Sequence, residues 1–509
     1  MCNNSAVTIT KEALYALNKQ FHRLNYTIDG LKDLLGDVAF TALYRHEPVP
    51  VWQATDPALH THNQLADLVR FLLLGEEKTA CEVEQLLNMP NRLIQDLKQW
   101  GFLVQTTDNK IRVGLDVRPI DTGFGTRWVF SDLDGALFPA QTKDDHVLGV
   151  GEASLSLLRA TPLSASSKLL DLGTGCGIQA LHAKNYAKEI VASDISPRCC
   201  ELAFATLAIN NQLDGVSIRQ GSWFEPVANE KFATIVANPP FVVSSETITH
   251  SYRDSGLNLD GATQLMVKES PSHLEEGGSA TILGSWIHAK DEDYRQRLSS
   301  WFPETGVDAW IVERDNVDCA LYISTWMKDS GRDPADPQWR DYAEKWLTHF
   351  ADNGVESIGF GVIYLRKTNR PTSVLIEELT APEGDALATE CNPRWERWNN
   401  LMNWDTESLL AQHFYLAPTV VISKTYQPSP SGQGTEQTQL TISRTDMPSY
   451  RHEIDEPLLQ ILNGICAEGL CIEDVAKLMC GARGWDWGAL KPHLIEVIKS
   501  LYLHGFISI

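Results

Sequence analysis

Between residues of roughly 125 and 370, short apolar runs alternate with stretches of helical period. Seven runs have the length and β-branched content of strands: "KLLDLG", "EIVASD", "SIRQG", "ATIVANPP", "SATILGSW", "DAWIVERD" and "IGFGVIYLRK". Helical stretches separate the first five. Such alternation predicts an α/β fold, a largely parallel sheet with helices on both faces. A polar, helix-prone insert, "MKDSGRDPADPQWRDYAEKWLTHFADNG", precedes the last strand.

The flanks carry a different pattern. "LADLVRFLLLG", "TACEVEQLL" and "NRLIQDLKQWGFLV" read as three helices, the second opened by an N-cap Thr79. "LVQTTDNKIRVG" reads as two short strands around Asp108 and Asn109. Three helices and a hairpin form the winged-helix pattern. "PLLQILNGICAEGL", "CIEDVAKLM" and "LKPHLIEVIKSLYLHGFISI" repeat it weakly at the C-terminus. The expected domains are therefore 1–124 (winged-helix-like), 125–370 (α/β), 371–455 (β-rich linker) and 456–509 (winged-helix-like, again α+β). Within the linker, "TVVISKTY" and "LTISRT" flank "QPSPSGQGTEQTQ" as a hairpin with a floppy tip. Trp395, Trp398 and Trp404 are expected to pack between domains.

Charge narrows the partners. The chain has 509 residues and a formal net charge of −23, which disfavours wholesale binding to nucleic acid or an anionic membrane. From Asn63 to Val113 there are six Lys or Arg against seven Asp or Glu, and from Pro457 to Ile509 four against five. A DNA-reading module needs a clearer cationic excess, so the flanks are expected to contact protein or pack within the chain, with nucleic acid as the alternative. The ten cysteines form no CxxC pair. Cys466, Cys471, Cys480 and His493 fit no zinc spacing, so no metal is expected. The absence of an apolar run of membrane-spanning length predicts a cytoplasmic protein.

The candidate chemistry sits at strand ends. "KLLDLGTGCGIQA" joins a strand to a helix through Gly173, Gly175 and Gly177, which permit positive φ and close approach of a ligand. The helix, expected to start near Cys176, would point free N–H groups there. Asp194 ends the next strand about twenty residues on, where a carboxylate can accept both hydroxyls of a ribose.

"DLGTGCG", "ASDIS", "GSWFEP" and "NPPF", in this order, resemble a class I S-adenosylmethionine-dependent methyltransferase. The subgroup resembled is the HemK-like, small-domain family with an Asn-Pro-Pro-aromatic motif, and the likeness covers residues of roughly 130 to 370. It implies a Rossmann-like sheet of seven strands with the last antiparallel, and S-adenosyl-L-methionine as cofactor. Asp171, Gly173, Thr174, Gly175, Cys176 and Gly177 would hold the methionine end, and Asp194 the ribose. Ile195 would pack on the adenine, with Ser222 and Trp223 beside its edge and Asn238 close to the methyl. Ser222 stands where the subgroup usually has Asp. "DHVLGVGEASLSLL" resembles the helix before the first motif, so Val150, Gly151 and Glu152 would line the cofactor.

"IVANPPFVVS" then acquires a chemical reading. Methyl transfer to an amide or nucleobase NH2 needs a nitrogen whose delocalised lone pair is drawn out. The side-chain oxygen of Asn238 and the carbonyl of Pro239 could grip both N–H bonds. Pro239 and Pro240 stiffen the turn, and an exposed Phe241 offers a face to a planar group. The resemblance implies a protein glutamine side chain as acceptor, with a translation factor as partner. The alternative is the exocyclic amine of guanine (N2) or adenine (N6) in RNA or DNA. Gly256, Asp260 and Gly261 keep part of the glutamine enzymes' "GG-x-DGL" element, whereas Phe241 replaces their common Tyr. A retained scaffold without catalysis is the third reading.

Overall fold

The computed structural model describes residues 9–45, 47–60, 62–134, 145–244, 256–329, 337–379, 384–446, 450–468 and 470–509. The chain divides into two compact units. One comprises Met1–Leu158 with Ser164–Glu377, and the other Arg159–Leu163 with Glu378–Ile509.

The first unit is built on one sheet. Its strands are β1 (Ser166–Leu172), β2 (Ala187–Asp194), β3 (Val216–Gln220), β4 (Phe232–Ala237), β5 (Leu274–Ala289), β6 (Thr305–Asp318), β7 (Val355–Pro371) and β8 (Ser373–Glu378). The spatial order is 8-6-7-5-4-1-2-3. β1, β2, β3, β4 and β5 pair in parallel, while β7 runs antiparallel to both β5 and β6. Helices α1 (Glu152–Ala160), α2 (Ile178–Ala183), α3 (Pro197–Ile209), α4 (Gly261–His273) and α5 (Tyr294–Ser299) accompany it. Between β6 and β7 stand α6 (Cys319–Asp329) and α7 (Pro337–Asp352); the expected insert, which begins at Met327, covers the end of α6 and the whole of α7. Part of the insert, residues 330–336, lies outside the described residues.

Central strands must be apolar on both faces, and β1 is: Leu169, Leu170 and Leu172 are buried. Its register sets the site. Leu172 lies opposite Ser193 on one side and Ala237 on the other. Gly173, Asp194 and Asn238, one residue further along each strand, therefore leave the sheet together. Strand order reverses between β1 and β4, and the carboxyl edge at such a switch point is where open α/β sheets take ligands.

Eight strands, not seven, make the sheet. The extra one, "SVLIEE", falls within the span expected as linker. It instead adds to the outer edge beside β6. Glu377 on β8 accepts a hydrogen bond from Trp310 Nε1 at 2.7 Å, and the buried Trp310 ring stacks on Tyr364, its register partner, at 5.0 Å.

Ahead of the sheet, helices Gln64–Leu73, Ala80–Leu87 and Asn91–Trp100 precede the hairpin Leu103–Gln105/Ile111–Val113. Thr79 and Glu82 form a capping box on the second helix. A second hairpin, Asp116–Asp121/Thr126–Ser131, joins this region to α3. Asn210, capping α3, bonds both backbone groups of Trp128, and Thr206 Oγ accepts from the N–H of Phe130. Trp100 Nε1 donates to Glu201 on α3 at 2.7 Å.

The second unit holds the strands Val420–Pro428, Thr435–Arg444 and Arg451–Glu453 in one antiparallel sheet. Helices Glu456–Glu468, Ile472–Arg483 and Trp487–Leu503 follow. The closing strand Ile507–Ser508 pairs with Tyr415–Leu416, not with a hairpin of its own. The three tryptophans pack inside this unit, and Trp404 does so across the expected boundary between 371–455 and 456–509. Trp395 and Trp398 are buried against each other, and Trp404 meets Phe414 and Tyr502.

Trp310→Ala is expected to cost about 3–5 kcal/mol, since it opens a cavity and removes the hydrogen bond to Glu377. Denaturant unfolding of the purified chain measures it, and a change under about 1 kcal/mol contradicts this account of the β6–β8 edge.

Candidate functional site

Asp171 on β1 is wholly buried. Its Oδ2 accepts from Thr174 Oγ1 at 2.5 Å and from the Ala180 N–H at 2.9 Å, tying the glycine turn to the first turn of α2. Burial raises its carboxyl to about 7, against the lowering effect of those two bonds. Its Oδ1 has no hydrogen-bond partner among the described residues.

The turn is braced from β2 as well. Gly173 and Thr174 donate to Ser193 O at 2.9 Å, and Gly175 N donates to Asp194 Oδ2 at 3.0 Å. Asp194 Oδ1 accepts from Ser196 N at 2.9 Å, and burial again raises the carboxyl. Gly173, Gly175 and Gly177 all have positive φ. A Cβ on Gly177 would lie 2.9 Å from the Cα of Ala203, so this glycine lets α2 pack on α3. The helix begins at Ile178 with Gly177 as its N-cap, two residues later than expected. Cys176 is buried, and burial pushes its thiol up to about 12.

A cavity of about 510 Å³ opens at this edge of the sheet. Gly173, Thr174, Gly175, Cys176, Asp194, Ile195, Ser222, Trp223, Asn238, Pro239, Pro240 and Phe241 all line it. Gly151 and Glu152 line it too. Asp171 and Gly177 sit behind it, and Val150 is not among its walls. Ile195 is 59% exposed and forms part of the mouth.

The proline turn closes the other end. β4 stops at Ala237 because neither proline can donate to a ladder. Asn238 Nδ2 reaches Ser154 Oγ on α1 at 3.5 Å. A Cβ on Gly173 would stand 3.8 Å from Asn238 O, so the two loops lie against each other. Phe241 is buried, not exposed as expected. Its carbonyl accepts from Ser285 Oγ, and its ring meets Phe360 at 5.2 Å and Trp326 at 6.2 Å. Beyond the motif, residues 252–255 of the glutamine-enzyme likeness lie outside the described residues. Asp260 is taken by a bidentate pair with Arg297 and by the Ile287 N–H.

Sequence reasoning missed Ser154 and Trp326. Ser154 falls in the helix named for the cofactor, so its place was open to inference. Trp326 lies just before the insert that reads as a polar helix, and nothing local ties it to residue 241. Among the described residues no helix is long and apolar enough to cross a membrane, and no group of three or more ligating side chains could hold a metal ion.

The residues fit S-adenosylmethionine. The cavity volume lies in the range that buries a molecule of nucleoside size. Gly175 leaves open space where a side chain would stand, and Asp171 keeps one buried carboxylate oxygen for a cationic group or water behind the turn.

Comparison with known proteins agrees. Residues 148–308 match the methyltransferase small domain family, while 23–114 and 394–509 match two families each described as a domain of unknown function. A protein of Methanocaldococcus jannaschii, provisionally named a protein N5-glutamine methyltransferase, is 33% identical over 150 residues, which cover 28% of this chain and 73% of that one. The release factor glutamine methyltransferase of Aliivibrio fischeri is 29% identical over 186 residues, 35% of this chain and 63% of its own length. The chain thus spans less than two thirds of that relative. A solved S-adenosylmethionine-dependent methyltransferase from Thiobacillus denitrificans, with S-adenosyl-L-homocysteine, covers 42% of this chain and 89% of its own at 17% identity. Its TM-score is 0.24, too low to carry an argument. The chain belongs to the HemK-like family of class I S-adenosylmethionine-dependent methyltransferases.

The Asp171 shift has a signed consequence. The folded carboxyl titrates near 7 and the unfolded one near 3.8, so the folded state holds an extra proton between them. The stabilisation is full below about 3.8 and is lost as pH rises to about 7, on the order of 4 kcal/mol in total. Unfolding of wild type and Asp171→Asn at pH 5 and pH 8 should show this slope in wild type only. Equal slopes contradict it.

Proposed function

We propose that the chain transfers a methyl group from S-adenosylmethionine to the side-chain amide nitrogen of a protein glutamine. One observation carries the choice of acceptor. The described residues lining the cavity include Asp145, Glu152 and Asp194 but no Lys or Arg. A nucleic-acid strand needs cations along its phosphates, whereas a neutral amide does not. The names of the relatives support the same reading, with a translation factor as the partner class.

S-adenosylmethionine, when bound, supplies an electrophilic sulfonium methyl. Asp194 would hold the ribose hydroxyls and Ile195 would pack on the adenine, with Ser222 and Trp223 beside its edge. Asp171, through Thr174 and the glycine turn, would hold the methionine end. Asn238 commits its amide N–H to Ser154 and keeps Oδ1 as an acceptor for one acceptor N–H, while the Pro239 carbonyl takes the other. Gripping both N–H bonds draws the lone pair out of conjugation. Pro239 and Pro240 fix the angle of that grip before the acceptor arrives. The methylated nitrogen, briefly cationic, gives its proton to water, so no base of special pKa is required.

Asn238→Ala should bind S-adenosylhomocysteine within about threefold of wild type and lose roughly 100-fold or more in methyl transfer. Labelled wild-type product should release methylamine on acid hydrolysis, as an N-methylated amide does. Binding lost in step with rate would remove Asn238 from the acceptor grip. Label that does not leave as methylamine would rule out the amide.

A further inference from the structure

The acceptor end of the cavity is completed by an element outside the residues that match the methyltransferase family. Helices α6 and α7 interrupt the antiparallel pair β6–β7 and follow residue 308, where that match ends. They pack on each other through Tyr322, Trp346 and Phe350, with ring centroids 6.2 Å apart. From this base two side chains reach the residue two positions past Phe241. Val243 N donates to Tyr322 Oη at 2.8 Å, and Trp346 Nε1 donates to Val243 O at 3.2 Å. Both polar backbone groups of Val243 are thus held by the insert.

One helical turn beyond Tyr322, on the same face of α6, stands Trp326. It is half-buried and lines the cavity, and among the described lining residues it alone comes from beyond Val242. Its ring crosses Phe241 at 73° with centroids 6.2 Å apart. Phe241 is 8% exposed and is hemmed on another side by Phe360. The aromatic surface open to an incoming planar group is therefore largely that of Trp326. A broad, rigid indole excludes water from the reacting nitrogen and limits the width of what can enter.

Resting on the methyl-transfer reading above, we propose that helices α6 and α7 are the acceptor-recognition element. Trp326 is its specificity-determining wall, against which the amide-bearing side chain of a protein acceptor packs. Tyr322 and Trp346 are positioning residues that hold the proline turn through Val243.

The test uses the full-length chain as wild type, Trp326→Phe and Trp326→Ala. S-adenosylhomocysteine affinity is measured by calorimetry. Transfer from methyl-labelled S-adenosylmethionine is followed across dilutions of a protein extract from cells lacking this gene. The proposal expects Trp326→Ala to bind cofactor within about twofold of wild type and to need at least tenfold more extract for half-maximal rate. Trp326→Phe should recover most of that loss. Trp326→Ala with the wild-type extract dependence overturns the proposal. So does cofactor affinity lost in step with rate, which would make Trp326 a packing residue. If wild type binds S-adenosylhomocysteine but labels nothing in the extract, the methyl-transfer reading itself fails, and this inference with it.

Discussion

A single buried carboxylate organises the site. Asp171 receives a hydroxyl from Thr174 and a backbone N–H from Ala180, and these two contacts set the curvature between β1 and α2. The cost is visible in its carboxyl, which burial raises to about 7. A carboxylate so placed at the end of the central strand is tolerable only because both contacts are short and directed. Once the turn is fixed, Ser193 and Asp194 grip it from β2, and the proline turn after β4 lies against Gly173. The cavity is the space left between three strand ends whose relative heights are dictated by sheet register.

Around this shared core the chain adds surfaces of its own. The region before the sheet packs on α3 through Trp100, Trp128 and Phe130, with Asn210 and Thr206 satisfying backbone groups of its second hairpin. On the far side of the switch point, the α6–α7 insert takes both polar groups of Val243. The glycine-turn side of the cavity thus lies within the residues that match the family, while its Trp326 wall lies beyond them.

Much of this was legible in the sequence, for identifiable reasons. The glycine turn, Asp194 and the Asn-Pro-Pro-Phe run are local chemistry, fixed by φ, by strand ends and by missing donors, so short motifs reported them. The division of labour among the glycines was not legible. Gly177 is required by Ala203, a contact across 26 positions of sequence that no motif announces. The exposure of Phe241 was misread because its neighbours, Trp326 and Phe360, come from beyond β6. The eighth strand was missed because Pro371 looks like a terminator, although a proline at the end of an edge pair leaves the chain free to resume. The partners of the three tryptophans near residue 400 were not legible, because nothing in their spacing shows that Phe414 and Tyr502 lie beside Trp404.

The claim at the centre of this account is that the acceptor is protein. It is tested most directly by incubating the wild-type chain and methyl-labelled S-adenosylmethionine with an extract from cells lacking this gene. The labelled material is then divided between protease and nuclease. Label that survives nuclease and is released by protease, concentrated in one polypeptide, is the predicted result. Label released by nuclease and untouched by protease would contradict it and assign the Asn-Pro-Pro-Phe grip to a nucleobase amine.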